Sequence, residues 1–140
     1  MGKILCATRG GEGSYRTQDG AIALAKEQGD ELIFLYVVDS SFLNQTAAPL
    51  VVDIDASLEK MGRFQLAMAQ ERAAAEGVEA QAVVRQGMLQ GELSAEAKET
   101  GADLIVLGRP RGETAIFNKA ILQAFAAILR AETGIEVRIL

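Results

Sequence analysis

Short apolar runs alternate with amphipathic segments along the whole chain. "KILCAT" (Lys3 to Thr8) reads as a buried strand. After "RGGEGS", residues Tyr15 to Gln28 carry Ala21, Ile22, Leu24 and Ala25 at helical spacing, and Gly29 marks the stop. "ELIFLYVVD" is a second near-continuous apolar run rich in β-formers, hence a strand covered on both faces. Residues Ser40 to Asp55, with Asn44, Thr46, Pro49 and several aspartates, read as a long connection. A helix is expected from Ser57 to Glu76, with Leu58, Met61, Phe64 and Met68 three or four apart. In "VEAQAVVRQ", Val78, Ala80, Ala82 and Val84 alternate onto one face of a third strand. Leu89, Leu93 and Ala97 support a third helix that stops at Gly101. "ADLIVLG" is the fourth strand, Thr114 to Ala131 the fourth helix and "IEVRIL" the fifth strand.

This alternation predicts a parallel α/β sheet with right-handed crossovers and helices on both faces. No repeat, low-complexity tract or long linker divides residues 1–140, so one domain is expected. In such a sheet, ligands bind beyond the carboxyl ends of the strands, where the strand order reverses. Two glycine-containing loops occupy strand-to-helix positions of that kind: "TRGGEGS" after the first strand and "GRPRG" after the fourth. Four of the nine arginines, Arg9, Arg16, Arg109 and Arg111, fall in or beside them. Glycine lets a backbone approach a phosphate, and the N–H groups opening the next helix point towards it. The same glycines also suit plain tight turns with solvated arginines, and spacing alone leaves both readings open.

Composition narrows the chemistry. The chain contains no histidine, which excludes Ser-His-Asp and Cys-His catalysis and His-based zinc or iron sites. A lone cysteine, Cys6, cannot form an internal disulfide, and it sits in a strand pattern where an inert buried thiol is expected. A net charge of −5 speaks against nucleic acid as the main partner. No segment has the length of a membrane span, and the N-terminus enters a strand pattern directly, so a cytoplasmic location is expected. Asp39, Asp53 and Asp55 would bind a metal only if gathered together; cap or solvated-loop roles, such as Asp55 or Ser57 capping the second helix, fit them better. No metal site and no catalytic residue is expected.

"GRPRGET" is not a Walker loop, and Gly10, Gly11 and Gly13 miss the dinucleotide fingerprint spacing. Nor do "TRGGEGS" and "VVRQG" carry the aspartates of a phosphoacceptor domain. Taken together, "KILCATRGGEGS", "LYVVD", "RQG", "ADLIVLG" and the final apolar strand resemble the universal stress protein family over essentially the whole chain. The resemblance implies a five-stranded parallel sheet in the order 3-2-1-4-5, related to adenine nucleotide α-hydrolases, with the first and fourth strands at the switch point. It also implies a binding crevice for ATP or AMP in some members. The candidate nucleotide- or anion-binding positions are then Thr8, Arg9, Gly10 and Gly11 after the first strand and Val38 closing the second. Gly108, Arg109, Arg111 and Gly112 form the second loop, with Gln123 further on.

This sequence departs from the ATP-binding pattern of Gly-x-x-Gly, nine residues, then Gly-Ser/Thr. Arg111 stands at the second glycine unless the loop has gained a residue and Gly112 serves. Counting on from these gives Ile121-Leu122 or Leu122-Gln123 in place of Gly-Ser/Thr. Arg9 replaces the aspartate that follows the first strand near the adenine. The resemblance therefore implies a non-enzymatic, regulatory or protective protein that binds ATP weakly or not at all. A nucleotide- or phosphate-binding switch is the alternative. Catalysts using a His-x-Gly-His signature are excluded by the missing histidines.

The last strand would be a sheet edge, and family members of this kind form homodimers through it. Ile135, Val137 and Ile139 alternate with Glu136 and Arg138. Antiparallel pairing about Val137 would set Glu136 of each copy opposite Arg138 of the other; an axis at another residue, or charges that only keep a monomer's edge soluble, are the alternatives. The partners expected are thus a second copy and an unidentified protein.

Overall fold

The computed structural model describes residues 2–8, 12–38, 48–108 and 119–140. Within them the chain runs β1 (Lys3–Ala7), α1 (Glu12–Gln28), β2 (Glu31–Val38), α2 (Ala48–Ala75), β3 (Ala80–Gln86), α3 (Leu89–Thr100), β4 (Leu104–Leu107), α4 (Lys119–Thr133) and β5 (Glu136–Ile139). The strands form one parallel sheet in the order β3-β2-β1-β4-β5. Cys6 of β1 lies beside Phe34 of β2 on one side and Val106 of β4 on the other.

The near-continuous apolar character of β1, β2 and β4 has a direct cause: both faces of the sheet are covered. Ile4, Cys6, Phe34 and Val106 turn to one face, where they pack with Ala21, Ile22 and Ala25 of α1 and Leu66, Ala69 and Ala73 of α2. Leu5, Ile33, Leu35 and Ile105 turn to the other, against Leu93 and Ala97 of α3 and Leu122, Ala126 and Leu129 of α4. Two thin cores therefore sandwich the sheet.

α3 ends where expected, with Gly101 in the left-handed region at φ 69° and the following amide returning to the Ala97 carbonyl. α2 differs from expectation, beginning at Ala48 and not at Ser57. Pro49 does not break it, because the first turn of a helix has no use for that missing N–H. Asp55 and Ser57 are consequently interior helix residues and not caps. Asp53 and Asp55 both fall within α2. Asp39 lies outside the described residues, as do positions 114–118 of the expected fourth helix.

The outer edge at β3 is fastened by charge. Arg85 donates from Nε to Glu92 at 2.8 Å, and from Nη1 to both Glu96 at 2.8 Å and Glu99 at 3.0 Å. These acids recur at i, i+4 and i+7 along one stripe of α3. The hydrogen bonds Arg85 donates to them, led by that to Glu92, raise the guanidinium pKa above its ordinary value, so it stays charged.

Candidate functional site

With β1 and β4 adjacent, the chain leaves β1 towards β2 and leaves β4 towards β5, so the switch point falls between them. Of the expected site residues, the structure brings Thr8 and Gly108 to this point. Arg9, Gly10, Gly11, Arg109, Arg111 and Gly112 lie outside the described residues.

Thr8 extends β1 by one step, its amide donating to the Leu35 carbonyl at 2.9 Å. Its Oγ1 accepts from Gln18 Nε2 of α1 at 2.8 Å, and both side chains are buried. Gln18 Oε1 has no hydrogen-bond partner among the described residues. A buried amide oxygen left unpaired costs about 1–3 kcal/mol, so this is a place where the fold tolerates an acceptor in need of a donor. Thr17, also buried, faces Gly108: a Cβ added to Gly108 would stand 2.5 Å from Thr17 Oγ1. The glycine opening the second loop is thus required by close approach of α1, whether or not a phosphate ever lies above it.

Sequence reasoning missed Thr17 and Gln18. A signal was present, because Gln18, Ala21, Ile22 and Ala25 share one helical stripe, with a glutamine at the head of an otherwise apolar core face.

Val38 closes β2 and is buried, and its carbonyl accepts the Gly87 amide at 3.0 Å, so β3 already uses that oxygen. Leu122 is a core residue of α4, and Gln123 is exposed beside it. At this part of the chain α4 is already formed and carries a buried leucine.

Cys6, two residues before Thr8, is wholly buried, which pushes its thiol up to about 12. It is neutral at physiological pH and is no nucleophile. Because the folded value lies above the unfolded one, the thiol contributes nothing to the pH dependence of stability below about pH 9. As pH rises from there towards 12, the unfolded state alone loses the proton, and stability falls by about 1.4 kcal/mol per pH unit. Urea titrations at pH 8, 9 and 10 should show a steeper alkaline loss for the native sequence than for Cys6→Ala; parallel losses would contradict it.

Among the described residues no three acids or thiols form a metal site, and no helix is long and apolar enough to cross a membrane. An open, parallel, doubly wound sheet with a polar cluster at its switch point defines the class as α/β. The sequence matches the Universal stress protein family over residues 1–135, and the chain belongs to that family. It is 33% identical over 114 residues to universal stress protein YxiE of Bacillus subtilis, a match covering 76% of this chain and 77% of that one. Its fold is similar to universal stress protein UspA from Lactobacillus plantarum, with a TM-score of 0.81 at 16% identity over 99% of this chain and 97% of that one. It is also similar to the Archaeoglobus fulgidus universal stress protein solved in complex with dAMP, with a TM-score of 0.66 at 15% identity over 99% of this chain and 96% of that one.

Proposed function

We propose that this universal stress protein is a non-enzymatic, cytoplasmic regulatory or protective homodimer, paired through β5, with weak or absent ATP binding. The observation that carries the ATP reading is Leu122, buried in the core of α4 at the place to which the family resemblance assigns the Gly-Ser/Thr pair of the ATP-binding pattern. A β- or γ-phosphate held there needs a tight backbone approach and a hydroxyl donor, and a leucine facing the core supplies neither. Calorimetric titration with Mg-ATP should give no saturation in the low micromolar range; a dissociation constant of about 1 µM, near −8 kcal/mol, would refute it.

The second reading is a nucleotide- or phosphate-binding switch, and one observation favours its nucleotide form, whose base or ribose can donate a hydrogen bond. Gln18 Oε1, buried beside Thr8, is an acceptor at the switch point, and the Archaeoglobus relative was solved with dAMP. Saturable binding of AMP in the same calorimeter, with ATP silent, would select it.

Support for the dimer lies in β5, which is an outer strand of the sheet. Val137 is buried among α3 and α4 residues of its own chain, so its side chain is spent on the core. The pairing affinity must then come from the edge main chain, with Glu136 and Arg138 setting register. Within one chain these two already pair, with Arg138 donating to Glu136 at 2.8 Å, and the symmetric arrangement exchanges the two internal contacts, one per chain, for two between copies.

A further inference from the structure

The free edge of β5 is already occupied at its centre. Leu140 N–H donates to the Leu107 carbonyl at 2.9 Å, which directs the main-chain groups of residues 136, 138 and 140 towards β4. Those of Ile135, Val137 and Ile139 face outward. The outward Val137 carbonyl accepts a hydrogen bond from the Arg130 guanidinium of α4 at 2.7 Å, and the outward Ile135 amide donates to Thr133 Oγ1 at 3.1 Å. On the opposite edge, the comparable contact is a neutral one at the strand's first residue, Gln70 Nε2 to the Ala80 carbonyl at 2.8 Å.

We propose that Arg130 is a gate on the dimer edge: its guanidinium holds the Val137 carbonyl in the single copy and must release it before two β5 strands can pair. The proposal rests on the homodimer reading above and specifies how that interface is controlled. An antiparallel two-fold axis at Val137 makes Val137 a hydrogen-bonded pair with itself, exchanging N–H and C=O with its mate. An axis at Glu136 or Arg138 uses the same carbonyl, to the partner's residue 135 or 139. Every register centred on the strand therefore needs the acceptor that Arg130 holds.

A hydrogen bond from a charged donor to a carbonyl is among the stronger kinds, and symmetry makes each dimer break two of them. Arg130 is exposed at the end of α4, and methionine there keeps a long stem and good helix propensity. Removing the gate should therefore leave the fold intact and favour association.

Sedimentation equilibrium on the full chain tests this with two substitutions. Ile139→Pro removes an outward N–H while sparing the amides of Arg138 and Leu140 that bond to β4, so it reports on whether β5 is the interface at all. Arg130→Met should tighten the dimer dissociation constant about tenfold or more, with Arg130→Gln intermediate. If Ile139→Pro gives monomer but Arg130→Met leaves the constant unchanged or weaker, the gate is wrong and the interface stands. If Ile139→Pro dimerises like the native chain, pairing through β5 falls and the gate with it. Should the native chain be monomeric, dimer appearing in Arg130→Met supports the gate, and monomer there overturns it.

Discussion

Arg85→Met is expected to lower the unfolding free energy by about 3 kcal/mol, read as the shift in urea midpoint at unchanged slope. The cost comes from what is left behind more than from the lost contacts. Glu96 is buried, with 8% of its side chain exposed, and Arg85 donates to it at 2.8 Å. Without the guanidinium its carboxylate has no described counter-charge in a half-dry site, next to two further acids, Glu92 and Glu99, on the same stripe of α3. Glu99 is two-thirds exposed and contributes little, which holds the expectation at the low end of the buried-pair range. Pairing Arg85→Met with Glu96→Leu should recover much of the loss, since an apolar pair of similar bulk removes the stranded charge. If the double variant is as unstable as the sum of the singles, the clamp is not a coupled unit.

Gly108→Val should destabilise the protein by about 2–3 kcal/mol, because a side chain there collides with Thr17 Oγ1 at the mouth of the switch point. The collision distance of 2.5 Å is set by the hydroxyl, while Thr17 Cβ lies at an ordinary 3.4 Å. Gly108→Ala should therefore be rescued by Thr17→Ala but not by Thr17→Val, which is a specific signature of packing. Equal stability of Gly108→Ala with or without Thr17→Ala would return this glycine to the loop's chemistry and away from its neighbour.

Much of the fold was readable because its determinants are local. A run such as "ELIFLYVVD" declares a doubly covered strand whatever it pairs with, and Gly29 and Gly101 end their helices by backbone freedom alone. The start of α2 was not readable for the opposite reason. Pro49 and the aspartates at 53 and 55 carry loop preferences, yet the helix runs unbroken from Ala48 into the stretch around Leu66, Ala69 and Ala73 that packs on the sheet, a contact no local pattern announces.

The amino-acid order by itself determined the alternation of elements, the family, and the exclusion of histidine chemistry, all properties of residue type and spacing. It also held the ingredients of the Arg85 clamp, with acids at 92, 96 and 99 on one helical stripe, but nothing local says which cation they meet. Tertiary structure alone decided that Gln18 is buried against Thr8, that Thr17 is why Gly108 has no side chain, and that Arg130 covers the Val137 carbonyl. Each of these joins elements distant along the chain or across the sheet edge. Periodicity encodes which face of an element turns inward, whereas the partner met there is chosen only when the layers close.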